Sequence, residues 1–369
     1  MKFVGVVAAL TSVAFLSGII LAQERPTPIL PRYTVMKPAH AIDPLAYREM
    51  EPAAKALPIW GAFFMYKNVP YGFYMIGTDP SAGSATSKIK LVIIPVAVRF
   101  SNGKMLDPTQ PVQCHGTKSA LTLTEQSPIL ANADWNQGGT DVGTTQYLDA
   151  FQRAEWWNFV SGSAPDYHVL LHPVIAKEVT IDVPSNQGKT VNGGSCGIYG
   201  DVEGLYFDAQ LRSIIVKRHL QPNELPFFLT YDVVEDHGVL GYHSTLANTI
   251  YATATFNDQT FGPMHSFQDM VPMSHVIGAT FNDPFGTNLT PNWKSSYAPK
   301  QGCNSLLEVG APLAGLAEPV KVPGSKHQYY VQDLAFELWF AKAPASTSVN
   351  GWFSMYGTFK DSGSNKNCK

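Results

Sequence analysis

The stretch Met270–Gly286, "MVPMSHVIGATFNDPFG", decides how this chain is read. Ser266 or Asp269 is placed to cap a helix, and Pro272 is tolerated in a first helical turn, where its missing N–H has no partner anyway. Pro284 restricts Asp283, so the expected helix runs from Pro272 to Phe281. Residues four apart on a helix share a face. A helix that holds catalytic zinc uses that spacing for two ligands and puts a glutamate beside the first, to take a proton from metal-bound water. Here His275 stands at the first ligand position, Val276 at the base position and Ala279 at the second ligand position. Neither valine nor alanine can bind a metal or accept a proton.

Outward from this segment, the 369 residues are 45% hydrophobic and 15% charged, with a formal net charge of −3. That is enough apolar material for a large core, and disorder over most of the length is excluded. The charge balance gives no electrostatic footprint for nucleic acid and no polybasic run for anionic lipid. Abundant aromatics, Gly and Pro favour strands and loops over a helical bundle.

Residues 1–22 have the form of an export signal: Lys2, an apolar run from Phe3 to Ile20, and Ala22 as the last residue before cleavage. The other reading of this run is an uncleaved anchor. The expected mature protein is secreted or periplasmic, with no stable membrane insertion after cleavage. Cys114, Cys196, Cys303 and Cys368 form no CxxC pair, so an exported chain with this even count points to disulfides, with three pairings open. A bridge from Cys368 would tie down the tail "KDSGSNKNCK".

Residues 23–58, rich in Pro and polar residues, read as an extended arm. Ile89–Phe100 is the strongest strand, with Pro95 in its middle arguing for an edge or a bulge. Tyr147, Leu148, Phe151, Ala154 and Trp157 form one helical stripe, capped by Thr144 or Thr145. "LYFDAQLRSIIVKRHL" is a second helix; "YHVLLHPV", "KEVTIDV", "LPFFLTYDVV" and "TIYATATF" are strands. No linker divides residues 59–369, and the expected fold is one strand-rich α+β domain.

Several other groups invite a functional reading. Asp232, Glu235, Asp236 and His237, with His243 nearby, form either a metal or calcium site or a solvated acidic turn. His168 and His172 share a face of a strand and read as ordinary strand histidines. Ser195 and Cys196 sit in a "GGSCG" turn without the surroundings of a nucleophile. Asn288 in "NLT" matches a glycosylation acceptor.

The motifs "MIGTDPSAGSATSKI", "NGKMLDPT", "LTLTEQSPI", "GGTDVGTTQYLDAFQRAEWW", "YHVLL", "LGYHS", "SHVIGATFNDPFG", "LEVGAPL" and "QDLAFELWF" together span most of the chain. In them the chain resembles a family of exported bacterial proteins with the signature Ser-His-Glu-x-x-Glu-Trp, then Asn-Asp-Pro, later Leu-Glu-Val-Gly-Asp-Pro-Leu. More distantly it looks like the plant phosphate-induced (exordium-like) extracellular family, with its His-Glu-Leu-Ala-Glu helix and later Glu-x-Gly-Asp. Both resemble zincin-like metallopeptidases with a third acidic ligand downstream. Ser274, His275, Asn282, Asp283 and Pro284 match the signature, as do Leu307, Glu308, Val309, Gly310, Pro312 and Leu313. Val276, Ala279, Thr280 and Ala311 depart from it, and three of these replace an acid.

Of the implied ligands only His275 and Glu308 survive, one short of the usual three, and the base is lost at Val276. Losing a base removes a rate factor of about 10²–10⁴. The expectation is therefore a zincin-like domain, a metallopeptidase homologue without activity. It would need no cofactor and would bind an extracellular peptide, protein or polymer. The alternative is an active metal-dependent hydrolase holding zinc with His275, Glu308 and, as additions, His243 and Asp283. A structural surface protein is the third reading.

Overall fold

The computed structural model describes residues 56–114, 116–193, 196–259, 266–298, 302–366 and 368, together with the backbone of a strand at Arg32–Val35. The export signal at 1–22, most of the arm at 23–58, and Ser195 lie outside the described residues.

In chain order the strands are β1 (Arg32–Val35), β2 (Ile59–Tyr66), β3 (Val69–Ile76), β4 (Thr86–Phe100), β5 (Met105–Leu106), β6 (Ala133–Gln137), β7 (Thr140–Thr145), β8 (His168–Ile175), β9 (Val179–Val183) and β10 (Gly188–Asn192). They continue as β11 (Ile198–Val202), β12 (Leu225–Tyr231), β13 (Val233–Glu235), β14 (Val239–Leu246), β15 (Thr249–Phe256), β16 (Leu289–Trp293), β17 (Asn304–Leu306), β18 (Ala317–Lys321) and β19 (Gln328–Gln332). The described helices are α1 (Ala120–Glu125), α2 (Tyr147–Glu155), α3 (Trp157–Val160), α4 (Gly204–Lys217), α5 (Val271–Asn282) and α6 (Glu337–Phe340). The fold is a strand-rich α+β domain, as its composition and pattern lead one to expect.

A mixed sheet of 11 strands forms the centre, ordered β10-β11-β13-β14-β15-β12-β4-β5, with β1 on β14 and both β8 and β9 on β4. β4 is the backbone of this sheet. Its Ile, Val and Leu residues are buried on both faces, the pattern of a strand flanked by parallel neighbours. Pro95 is neither at an edge nor on a bulge, contrary to expectation. It pairs with Leu229 of β12 on one side. On the other side the partner changes beside it, from β8, which ends opposite Ile93, to β9, which begins opposite Val96. The missing N–H thus falls where one ladder hands over to the next.

The β14–β15 pair carries the layer structure. Paired residues of antiparallel strands share a face. Gly241, Ala254, His243 and Ala252 face one way; Tyr242, Thr253, Ser244 and Tyr251 face the other. On the tyrosine face α4 packs, and Tyr242 and Tyr251 both donate to Asp208. On the small-residue face α5 packs, and a Cβ on Gly241 would come within 2.8 Å of Val276 Cγ2. Glycine and alanine here let the helix come close to the sheet, and His243 lies between them on the same face.

Two helix starts differ from the expected ones. α2 begins after Gln146 with no side-chain cap, because Thr144 and Thr145 belong to β7. α5 begins after Met270, also without a side-chain cap, while Asp269 accepts from the Tyr330 N–H and lies beside His327. The far end of α5 stops at Asp283, before Pro284, as the sequence predicts.

Disulfides join Cys114 to Cys196 and Cys303 to Cys368. The second fixes the tail, as does the bridge between Lys294 and Lys366. No described helix is long and apolar enough to cross a membrane.

Candidate functional site

α5 lies across β14, β15 and β19 and is buried along its whole length. This explains its apolar sequence: a helix covered on every side has no solvent face to mark with charges. His275 projects from it towards β19, and its Nδ1 donates to Gln332 Oε1 at 3.1 Å. Gln332 is held in turn. Its Nε2 donates to the Gly310 carbonyl at 2.7 Å, and its backbone N–H donates to Ser274 Oγ at 2.9 Å. The Gly310 backbone passes so close to the imidazole that a Cβ there would sit 2.5 Å from His275 Nδ1. The glycine of "LEVG" is therefore a steric requirement of the histidine.

The four residues singled out as ligands share one buried neighbourhood. His243 Nε2 lies 3.4 Å from Glu308 Oε1, and both residues are buried. Asp283 is fully enclosed and its Oδ1 accepts from the Thr287 and Asn288 N–H groups, at 2.9 and 3.0 Å. Burial, and then the nearby Glu308, raise the Asp283 carboxyl well above the usual range. Burial holds the His275 imidazole down to about 3, partly offset by the Gln332 hydrogen bond and reinforced by the proximity of the His243 imidazole. His275 is thus a neutral imidazole with its proton on Nδ1.

Among the described residues, no group of three or more His, Cys, Asp or Glu side chains is placed to hold a metal ion. His243 and Glu308 turn towards each other, and His275 towards an amide. Val276 is 1% exposed and packs on the Gly241 backbone, and Ala279 and Ala311 are buried as well. What the arrangement does chemically is hold two imidazoles and two carboxyls together in a buried interior.

The other candidates scatter. Asp232 accepts from the Asp258 N–H and from Gln259 Nε2, Asp236 accepts from the Gly204 N–H, and His237 pairs with Asp201. They form no single site with His243, which lies on the α5 side of the sheet. His168 hydrogen-bonds Asp149 at 2.8 Å while His172 is exposed. Cys196 is bridged. Asn288 is 1% exposed; it donates to the Tyr74 and Asn282 carbonyls and accepts from the Tyr74 N–H, so the folded chain offers no glycosylation acceptor there.

Sequence reasoning gave no structural role to three residues that organise this region. Gln332 is the hub under His275; its signal was a lone amide inside the apolar run "YYVQDLAF". Asn282 donates from Nδ2 to both oxygens of Glu155, at 3.1 and 2.9 Å, and accepts from Gln152 at 2.7 Å. Glu155 also accepts from the Glu337 N–H at 2.7 Å. Asp149, Gln152 and Glu155 recur every third residue on α2, a polar stripe that looks solvent-facing and is buried. Compared with known proteins, the chain matches no family model, no curated protein and no solved structure.

Proposed function

We propose that this chain is an exported, zincin-like protein that performs no hydrolysis and acts by binding a peptide, protein or polymer outside the cell or at its envelope. In this reading 1–22 is the export signal, 23–58 the arm and 59–369 the zincin-like domain, related to the exported bacterial family whose signature surrounds His275. The observation that supports it most is the packing of Val276 on Gly241: the place of a water-activating carboxylate is occupied by a side chain in van der Waals contact with the sheet. The burial of His243, His275, Asp283 and Glu308 points the same way, because a hydrolytic centre must admit a substrate. The two disulfides suit an oxidising compartment.

The alternative, a metal-dependent hydrolase using His275, Glu308, His243 and Asp283, draws its support from the gathering of those four side chains around α5. Peptidase assays on the exported protein separate the two. No cleavage above background, unchanged by a chelator and by His275→Ala, is expected. Chelator-sensitive cleavage that disappears in His275→Ala would overturn the proposal.

A further inference from the structure

β2 and β3 form a hairpin closed by a two-residue turn, Lys67 and Asn68, with φ of 48° and 64°. In such a hairpin the closing pair, Tyr66 and Val69, exchanges backbone hydrogen bonds, and every second pair beyond it does the same. The pairs between them, Met65–Pro70, Phe63–Gly72 and Gly61–Tyr74, aim their backbone polar groups away from the hairpin. Two facts on β3 agree. Pro70, which has no N–H, stands at such a position. The Tyr74 N–H donates outward to Asn288 Oδ1 at 3.0 Å, and the Tyr74 carbonyl accepts from Asn288 Nδ2 at 2.7 Å. The matching groups of Gly61, Phe63 and Met65 form the outer edge of β2, and among the described residues no strand pairs with it.

The outer edge of β8, by contrast, is closed. Its Val169 N–H donates to Asp149, its Leu171 N–H donates to Gln146, the Leu171 carbonyl accepts from Gln146, and Pro173 follows. β2, "IWGAFFMY", has no proline, no charge and several strand-favouring aromatics, the composition of an edge open to another chain. Phe63 is 66% exposed and Met65 55%. Beside this edge lies a pocket of about 200 Å³. Trp60, Ala62, Phe63 and Phe64 of β2 line it, against Phe73 alone from β3, so it lies on the β2 side of the hairpin. Trp60, Ala62 and Phe64 share one face of the strand. Trp156, edge to face with Trp60 at 5.4 Å, closes the pocket from the α2–α3 junction. Ala62, small and exposed between two large rings, leaves the seat open.

We infer that the β2 edge takes up an extended peptide segment as an added antiparallel strand, with one apolar side chain of that segment seated in the pocket. Peptide residues i and i+2 pair with Phe63 and Gly61 through backbone groups. The residue between them stands opposite Ala62 and on the same face, so its side chain points to the pocket. Recognition of this kind draws affinity from main-chain hydrogen bonds and selectivity from the side-chain pocket. The aromatic lining calls for an aliphatic or aromatic side chain, and Asp79, which also lines it, disfavours an acidic one. A second copy of this chain fits less well. β2 set against β2 in fullest overlap brings Ala62 or Phe64 opposite Ala62. Alanine is too small to fill the pocket, and Phe64 is already part of its wall. The inference rests on the binding role proposed above and names its partner; it does not depend on metal at α5.

The test pans a displayed library of random dodecapeptides on the folded full chain and titrates the selected sequences as fluorescent synthetic peptides. Saturable binding is expected, by peptides that share one apolar residue. Replacing that residue with Asp should weaken binding about tenfold or more. N-methylation of the peptide, one residue at a time, should weaken binding about tenfold at alternate positions and leave those between unchanged, because one edge of the added strand is bonded. Phe63→Pro removes an outward N–H and spares the hairpin's own ladder. It should bind about tenfold more weakly than Phe63→Ala, which keeps that N–H. The N-methyl scan needs no variant and decides alone if Phe63→Pro does not fold. No saturable binding, a scan without alternation, or Phe63→Pro binding as well as Phe63→Ala overturns the inference. So does dimerisation in sedimentation that Phe63→Pro abolishes, with no peptide captured. Cleavage of a bound peptide, read by mass spectrometry, overturns the proposed lack of hydrolysis and still supports peptide binding at β2, so the two readings fail separately.

Discussion

His275 gives its Nδ1 proton to the side-chain oxygen of Gln332, 3.1 Å away, while the same amide gives a proton to the Gly310 carbonyl that passes over the imidazole. One glutamine thereby fixes the ring's tautomer and the loop that lids it.

Replacing Gln332 with Leu keeps the volume and strands both the His275 Nδ1–H and the Gly310 carbonyl in a buried site. The expected loss is about 2–4 kcal/mol, read from urea unfolding. Gly310→Ala, which would drive a methyl into the imidazole, is expected to cost at least as much. A change below about 0.5 kcal/mol in either variant would mean that this contact does not organise the α5 region.

Stability is expected to fall as pH rises from 6.5 to 8. Burial raises Glu155 to about 7, while burial and then the Glu155 charge raise Glu337 to about 8. A carboxyl with a raised folded value contributes stability that is complete below the unfolded value, 4.5, and is lost as pH climbs through 7 and 8. His275 works in the opposite sense. Its lowered value makes its contribution complete above 6.5 and lost as pH falls towards 3, so it is silent in the chosen window. The two glutamates together account for roughly 2 kcal/mol between pH 6.5 and 8. Glu337→Gln should remove about two thirds of that contribution, measured by urea unfolding at each pH.

Expression in a host that glycosylates is expected to leave Asn288 bare in the folded, exported protein. Its amide nitrogen is spent on the Tyr74 and Asn282 carbonyls inside the core. Intact-protein mass spectrometry checks this, and a glycan on Asn288 in natively folded material would place that segment at the surface.

Replacing Cys303 and Cys368 together by Ser should free the tail and cost up to about 4 kcal/mol, the loop-closure value for a separation of 65 residues. Proteolysis after about residue 340 should accelerate in the variant and not in the parent.

The long strands and the two main helices were legible because their cues are local. β-branched runs made β4, three- and four-residue spacing made α2, and Pro284 ended α5. What escaped depends on neighbours distant in sequence. Pro95 reads as an edge residue until β8 and β9 are seen to meet beside it. Asp149, Gln152 and Glu155 look like a wet helix face until Asn282, His168 and the Glu337 backbone come to cover it. Asn288 reads as a surface acceptor until Tyr74 of the β2–β3 hairpin closes over it. At the candidate site, His275, His243, Asp283 and Glu308 were all named from the sequence, and the fold brings them together. Gln332 was not, because one amide in an apolar run carries no pattern of its own.

The most direct measurement is zinc content by mass spectrometry after equilibrating the folded chain with excess Zn²⁺ and desalting it. On the proposed reading of α5, in which Val276 and Ala279 replace two acids, well under one zinc per chain is expected, and no difference between the parent and His275→Ala. One zinc per chain in the parent, lost in His275→Ala, would contradict the reading of α5 as a helix without metal chemistry.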